Sequence, residues 1–204
     1  MQAGGWSPTW GNKTTTADNL YADSLVFALR RSLGTNRIDY RPDGTGVDLH
    51  NHSAIVTVAA EAPYAEVAGY ISFLASMRHS SRYPRNLETL RRVRGEGVPA
   101  VALLYSGPPV AANDLINRSD AFIAAWLPGT EGMGLADMLL VRPDGRSRFD
   151  FTGRLSFDWP PGDCLPQTGG VQFARGYGLS LTSRSRVGHL PEAPPLIACA
   201  GASR

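Results

Sequence analysis

Three almost uninterrupted apolar runs stand out along the chain. They are Ala54–Ala60 (AIVTVAA), Pro99–Tyr105 (PAVALLY) and Ala121–Leu127 (AFIAAWL). Continuous runs of β-branched and small apolar residues are typical of strands that are buried on both faces, as in parallel sheets. The pattern therefore predicts three central strands.

Between and around these runs, apolar residues recur with a helical period. Leu20–Leu33 has leucines four residues apart and is followed by Gly34, a good helix stop. Leu87–Val93 has Asn86 before it as a candidate N-cap, and Gly134–Leu140 follows a glycine-rich turn. We expect a helix at each of these places.

Strands that alternate with helices predict an α/β fold. We expect a three-layer α/β sandwich with a mostly parallel, flavodoxin-like sheet. In such sheets the loops after the carboxyl ends of the strands carry the ligand chemistry. By that rule, the candidate ligand-binding loops are residues 61–70, 106–110 and 128–134.

The remaining segments have weaker patterns. Arg37–Tyr40 and Arg154–Phe157 are candidates for short strands, the second at a sheet edge. The chain from Arg184 onward is rich in Pro, Ala, Ser and Arg, and we expect it to be irregular. The interpretation is one domain over residues 1–183 and a tail over residues 184–204.

Composition narrows the class of protein. The 204 residues are 43% hydrophobic and 19% charged, with a net charge of +2, which suits one globular domain. No basic stripe indicates nucleic-acid or membrane-surface binding, and no apolar run is long enough to span a bilayer. The N-terminus shows no signal-peptide pattern. Cys164 and Cys199 are read as two separate thiols, with a single disulfide as the alternative.

Two carboxylates follow the first predicted strand, in the segment that runs from Glu61 through Tyr64 to Glu66. A general acid that works near neutral pH needs a carboxyl group whose pKa is raised by apolar or like-charged surroundings. Two neighbouring acids beside a tyrosine meet that need. From spacing alone, however, two solvated loop acids are the favoured alternative.

Trp6 and Trp10 lie in a glycine-rich stretch with almost no aliphatic residues. Exposed tryptophans suit stacking on the apolar face of a sugar ring. The alternative, which the sequence supports about equally, is that both rings fill the edge of the hydrophobic core.

Two further patterns are weaker. Gly129–Gly134 is glycine-rich and precedes a helix, so it is a candidate for binding phosphate, but it lacks the P-loop and dinucleotide spacings and is better read as a tight turn. Asp48, His50 and His52 would share one face of a strand, where they could bind zinc. No further ligand accompanies them, so we predict no metal site and no cofactor.

Six blocks, taken together, resemble the motifs of one family, the C-terminal domain of glycoside hydrolase family 3. They occur in the family's order, and the block at residues 124–132 is long and specific. The blocks are residues 3–10 (AGGWSPTW), 61–66 (EAPYAE), 106–109 (SGPP), 124–132 (AAWLPGTEG), 153–160 (GRLSFDWP) and 176–179 (GYGL).

The resemblance implies an α/β sandwich that packs beside a TIM-like barrel and takes part in retaining, exo-acting hydrolysis of β-glucosides or short β-glucans. It implies that Glu66 is the catalytic acid/base and that Trp10 lines the aglycone subsite. Trp6, Glu61 and Tyr64 complete the predicted substrate-binding set, with Glu61 as a supporting acid. The parent family is periplasmic or secreted.

The sequence also departs from the family's pattern. Ala60 stands where the family has glycine, and Pro108 replaces the arginine of its SGRP motif. From the resemblance we expect that the barrel, whose aspartate is the family's nucleophile, and the usual first strand of the sandwich lie outside these 204 residues. A sheet without that strand should expose an edge and part of a core face. We therefore expect no hydrolysis by this chain alone.

Two alternatives stay open at this point. One is a non-catalytic module, derived from the same domain, that binds carbohydrate or another protein. The other is a flavodoxin-like nucleotide-binding protein, which rests on the sheet pattern and Gly129–Gly134 alone. Fold does not fix function, so this last hypothesis is the weakest.

Overall fold

The computed structural model describes residues 22–61, 77–95, 97–162, 170–183 and 185–192. The helices and strands are α1 Leu25–Leu33, β1 Ile55–Ala60, α2 His79–Arg82, α3 Pro84–Val93, β2 Ala100–Tyr105, α4 Asn113–Ile116, β3 Ala121–Ala124 and α5 Gly132–Leu139. Two short 3₁₀ turns, Thr35–Arg37 and Leu49–Asn51, lie between α1 and β1. In these ranges no helix is long and apolar enough to cross a membrane.

The three strands form one parallel sheet in the order β1-β2-β3. Val58 pairs with Leu103, which pairs in turn with Ile123. The predicted strands are therefore confirmed, although the third ends earlier than expected. β3 stops at Ala124 because Trp126, two residues later, has a φ of 53°, which turns the backbone out of the extended conformation.

Both faces of the sheet are covered by helices, so the predicted three-layer sandwich is confirmed. On one face, Ala102 and Leu104 of β2 belong to a core that includes Leu90 of α3 and Leu115 of α4. On the other, side chains of β2 meet α1 and α5 in a second core, formed by Leu25, Ala28, Leu29, Leu103, Tyr105 and Ala136. The strand β2 is central, and its side chains alternate between the two cores.

Helix α1 has the cap and stop that its sequence provides. The Ser24 side chain accepts a hydrogen bond from the Phe27 N–H at 3.2 Å, and this cap satisfies a donor of the first turn. Gly34 ends the helix with a φ of 96°, and its N–H donates to the Arg30 carbonyl. The helix begins later than predicted, because residues 22–24 are not helical, and residues 20 and 21 of the predicted range lie outside the described residues.

The predicted N-cap of α3 is wrong. The helix begins at Pro84, whose fixed φ and missing N–H suit the first helical position. Asn86 therefore lies inside the first turn, where its side chain is free to bond to other parts of the chain. Helix α5 likewise begins two residues before the predicted start, at Gly132.

Both short strands predicted outside the central sheet are wrong. Residues 35–37 form a 3₁₀ turn, and the extended residues after it pair with no strand within the described ranges. Residues 154–157 form no strand either. Only Leu155 makes backbone bonds there, donating to the Tyr177 carbonyl at 2.9 Å and accepting from Gly176 at 2.8 Å.

The tail is irregular where it is described, over residues 185–192, but it is attached to the sandwich. The Asn117 side chain, just after α4, accepts from the Leu190 N–H and donates to the Leu190 carbonyl, both at 2.9 Å. Arg118 adds an ion pair with Glu192 at 2.6 Å. This part of the tail is therefore held against the residues that follow α4.

The outer edge of β1 has no strand beside it among the described residues. Val56 and Val58, which point to the α1 side of the sheet, are 36% and 38% exposed. A groove of about 450 Å³ runs between this edge, α1 and the chain around Tyr40. Within the described residues, the outer edge of β1 and part of its α1 face are therefore exposed.

Candidate functional site

Glu61 directly follows β1, and its carboxylate is fully buried. Its N–H continues the parallel ladder by donating to the Tyr105 carbonyl at 3.0 Å. One carboxylate oxygen, Oε1, accepts from Arg82 at 2.8 Å, and the other, Oε2, accepts from the Gly107 N–H at 3.2 Å. A buried carboxylate needs such compensation, and here an opposite charge and a backbone donor supply it.

Arg82 ends α2, and the start of that helix is tied to another loop. The His79 N–H donates to the Ala111 carbonyl, and the Ala111 N–H donates to the Met77 carbonyl, both at 3.0 Å. The guanidinium also lies over the Tyr83 ring, 5.4 Å from its centroid, in a cation–π arrangement. The position of Arg82 is thus fixed by α2 and by its aromatic neighbour.

His79 is buried beside this ion pair. Burial, and then the positive charge of Arg82, lower the pKa of His79 from 6.5 to about 4, so the ring is neutral at physiological pH. Its Nε2 lies 2.9 Å from the Asn86 amide nitrogen, which donates to it, so the ring proton is assigned to Nδ1. Asn86 also donates to the Ala60 carbonyl at 3.3 Å.

The loops after β1 and β2 therefore meet, as the carboxyl-end rule predicts. Ser106 is buried directly after β2, and Gly107 bonds to Glu61. The resulting network, which we call the Glu61–Arg82 network, combines side chains from three segments: Glu61 after β1, His79 and Arg82 of α2, and Asn86 of α3.

The third predicted loop, residues 128–134, lies against the start of α1. The Asp23 N–H donates to the Thr130 carbonyl at 2.9 Å, and the Gly132 N–H donates to the Asp23 carbonyl at 3.0 Å. The N–H groups of Glu131 and Gly134 bond within the turn. These three backbone donors are occupied within the protein, which supports the tight-turn interpretation.

Trp126 is the one non-glycine residue with positive φ among the described residues, at 53°. Its ring packs against Trp159, with centroids 5.6 Å apart, and edge-on against Phe157 at 5.5 Å. The Trp159 indole N–H donates to the Val110 carbonyl at 3.2 Å. This aromatic cluster joins the loop after β2, the loop after β3 and the chain around residue 159, and it holds a backbone conformation that a tryptophan rarely adopts.

The profile of the glycosyl hydrolase family 3 C-terminal domain matches residues 1–181 of the chain. The chain belongs to glycoside hydrolase family 3, as a C-terminal domain. The resemblance in the sequence blocks is confirmed.

The family 3 domain is similar to parts of known enzymes. An exo-1,3/1,4-β-glucanase from a Pseudoalteromonas species is 35% identical with a TM-score of 0.78, over 93% of this chain and 24% of that one. A point variant of the enzyme is 36% identical with the same TM-score, over 94% and 32%. A lysosomal β-glucosidase from Dictyostelium discoideum is 26% identical over 74% of this chain and 20% of its own length. The family 3 domain thus spans between a fifth and a third of these relatives.

Most of the predicted site residues of the family 3 domain lie outside the described residues. These are Trp6, Trp10, Tyr64 and Glu66, and the cysteines Cys164 and Cys199 are also outside. Of the predicted set only Glu61 is described.

The strand face proposed for zinc does not exist in the family 3 domain. Residues 49–51 form a 3₁₀ turn, and Asp48 caps it by accepting from the His50 N–H at 3.1 Å and from the Asn51 amide at 2.6 Å. Over the described ranges, no group of three His, Cys, Asp or Glu side chains is arranged to hold a metal ion.

Sequence reasoning missed Arg82, His79 and Asn86. Arg82 is 21 residues from the glutamate that it neutralises, and no local spacing links the two. The one available signal is physical: a glutamate at the end of a buried strand needs a cation, and α2 is rich in basic residues.

Proposed function

We propose that this domain supplies the acid/base half of a retaining, exo-acting β-glucosidase or β-glucan glucohydrolase. The enzyme removes terminal β-D-glucosyl residues, and Glu66 is its proton donor and acceptor. The observation that carries the proposal is the Glu61–Arg82 network, because it fixes the chain at the carboxyl end of β1, five residues before Glu66. Membership of family 3 supports the same assignment.

The proposed roles follow from the chemistry of retention. Glu66 protonates the glycosidic oxygen as the leaving group departs, and then takes a proton from the water that releases the sugar. A second carboxylate, about 5–5.5 Å away, acts as the nucleophile. We propose that it comes from a barrel domain outside these 204 residues, so that the chain alone does not hydrolyse glucosides.

Glu61 is assigned a supporting role. Both of its oxygens are already engaged, by Arg82 and by the Gly107 N–H. Because both oxygens accept hydrogen bonds within the protein, we assign Glu61 to supporting the loop and not to proton transfer. The sugar contacts are assigned instead to Trp10, Trp6 and Tyr64, whose rings suit the apolar face of glucose.

The solved relatives guide the choice of substrate. Because they are named exo-1,3/1,4-β-glucanases, we propose β-1,3- and β-1,4-linked gluco-oligosaccharides as substrates. No cofactor or metal is needed for this mechanism. The relevant partner is the family 3 barrel.

The test is an assay with a chromogenic β-glucoside, on the chain alone and mixed with a family 3 barrel chain. We expect activity only in the mixture, and we expect Glu66→Gln to reduce it strongly. Glu88→Gln, at an exposed position on α3, is the matched control and should keep full activity. An inactive mixture of two folded chains would contradict the proposal.

A binding experiment separates hydrolysis from sugar binding alone. If the mixture is inactive but the chain binds gluco-oligosaccharides, and Trp10→Ala weakens that binding by roughly 1–2 kcal/mol, the domain is a carbohydrate-binding module instead.

A further inference from the structure

Side chains of α4 and of the two residues after it hold the backbone of the described tail. Asn117 accepts from the Leu190 N–H and donates to the Leu190 carbonyl, both at 2.9 Å, so it binds both main-chain groups of one residue. Asn113 donates to the carbonyl of the next residue, Pro191, at 2.8 Å. Main-chain hydrogen bonds of this kind supply affinity in the recognition of extended peptides.

The third tail residue is held by its side chain. The Glu192 carboxylate accepts from Arg118 at 2.6 Å and from Asn117 at 3.0 Å. The bond from Arg118, and then the bond from Asn117, hold the pKa of Glu192 below its ordinary value, so the carboxylate is charged at neutral pH. A basic residue at this position would be repelled by Arg118. The contacts therefore select an acidic residue two positions after Leu190.

The side chains that hold the tail are themselves positioned by other parts of the chain. Asn113 and Gln172 exchange two amide hydrogen bonds, at 3.1 and 2.8 Å. Arg118 donates to the Asp114 carbonyl at 3.0 Å, and the Asn117 N–H donates to the Asn113 carbonyl at 2.8 Å. None of these bonds involves the tail, so we expect the arrangement to persist when the tail leaves.

The bound segment is suited to the extended shape in which it is held. A proline disfavours the α conformation in the residue before it, so Pro191 biases Leu190 towards an extended backbone. Pro191 also has a fixed φ and no N–H that binding could leave unpaired. Leu190 is half-buried, whereas the residues on either side of it are exposed. Little conformational freedom is therefore lost when this segment binds.

We propose that Asn113, Asn117 and Arg118 form a recognition site for an extended peptide in which proline is followed by an acidic residue. We call these three side chains the peptide clasp. In this chain the occupant of the clasp is the chain's own tail, residues 190–192. The clasp does not depend on the catalytic role proposed for the domain, since none of the residues assigned to sugar binding or proton transfer belongs to it.

Amide hydrogen exchange at Leu190, followed by NMR on the full chain, tests the clasp. The Leu190 N–H exchanges only when it leaves Asn117, so exchange should be at least about tenfold slower than in the free peptide. Asn117→Ala and Glu192→Lys should each remove most of this protection. Glu192→Lys changes only the exposed tail, so it covers the case in which Asn117→Ala fails to fold. Asn51→Ala is the matched control, because the Asn51 amide bonds to Asp48 of its own turn, and it should change nothing.

A second experiment measures whether the clasp accepts the same peptide from another molecule. The double variant Leu190→Pro, Glu192→Lys of the full chain removes the N–H and the carboxylate that the clasp binds, and so empties it. We expect a synthetic peptide of residues 187–194 (VGHLPEAP) to bind this variant saturably, with a millimolar Kd. Its Glu192→Lys form should not bind, and adding Asn117→Ala to the emptied variant should abolish binding.

The parent should bind the peptide about tenfold or more weakly than the emptied variant, because its own tail competes for the clasp. The same equilibrium slows exchange at Leu190, so the two factors should agree. Exchange at Leu190 as fast as in the free peptide would overturn the proposal, as would protection that survives in both Asn117→Ala and Glu192→Lys. Failure of the peptide to bind the emptied variant, or equal binding with and without Asn117, would overturn it as well.

Discussion

Gly132 begins α5 directly against the backbone of Asp23. Its N–H donates to the Asp23 carbonyl at 3.0 Å, and a Cβ on Gly132 would lie 2.5 Å from that same oxygen. The starts of α1 and α5 are therefore packed backbone to backbone. Gly134, in the first turn of the same helix, has nothing within 4 Å of a Cβ position.

Gly132→Ala should destabilise the domain by roughly 1–3 kcal/mol, because the methyl group meets backbone that cannot move aside without separating the two helices. Gly134→Ala should instead stabilise it by about 0.5–1 kcal/mol, since alanine is the better helix former. Urea unfolding of both variants measures the two changes. Equal effects would show that the α1–α5 contact is looser than described.

A second prediction concerns pH. The pKa of His79 is lowered from 6.5 to about 4 on folding, so between these values the unfolded chain binds a proton that the folded chain does not. The stabilisation from neutral, buried His79 is fully present above pH 6.5 and is lost as the pH falls towards 4. The shift corresponds to about 3 kcal/mol at most.

The measurement is the free energy of unfolding of the parent and of His79→Gln from pH 7.5 to 4. Glutamine offers Asn86 an acceptor but does not titrate, so the variant should lose less stability than the parent over this range. His50→Gln, at an exposed position, is the control and should follow the parent. Parallel curves for parent and His79→Gln would contradict the assigned pKa.

The Glu61–Arg82 and Arg118–Glu192 ion pairs should differ sharply in their effect on stability. Arg82→Met breaks the ion pair of the fully buried Glu61, and breaking a comparable buried pair costs about 3–5 kcal/mol. Arg118→Met breaks a pair whose side chains are 26% and 31% exposed, and it should cost less than about 1 kcal/mol. Thermal and urea unfolding test this order, and a smaller loss for Arg82→Met would show that water reaches Glu61.

The elements that the sequence predicted correctly are those set by local pattern. The run that became β2 is apolar because both faces of the sheet are covered there, and Gly34 ends α1 because it adopts a positive φ. One wrong prediction has a different cause. Asp48 turns its carboxylate back onto the next residues, which makes a 3₁₀ turn where alternation indicated a strand.

Only part of the site could be predicted, because local pattern locates a residue on its own element but not its partner on another. Glu61 could be located, because it follows a strand, and the place where strands end is visible in the sequence. Its partner Arg82 could not be chosen from the many arginines, because the pairing depends on how α2 is anchored to Ala111 across a different loop. The roles proposed for the site residues came from the resemblance to the family's motifs, because spacing alone did not assign them.

The open edge of β1 leads to the last prediction. Val58 is 38% exposed on a strand whose outer edge has no strand beside it in the described part of the chain. Exposed apolar edges promote pairing with other chains. We expect the purified domain to self-associate as its concentration rises and Val58→Lys to reduce this, because a charge at the edge disfavours strand pairing.

Val141→Lys is the control, since Val141 is 57% exposed but lies outside the parallel sheet. Sedimentation velocity over a range of concentrations measures the effect. A parent domain that stays monomeric throughout, or a Val141→Lys variant that behaves like Val58→Lys, would show that the β1 edge is not the surface responsible.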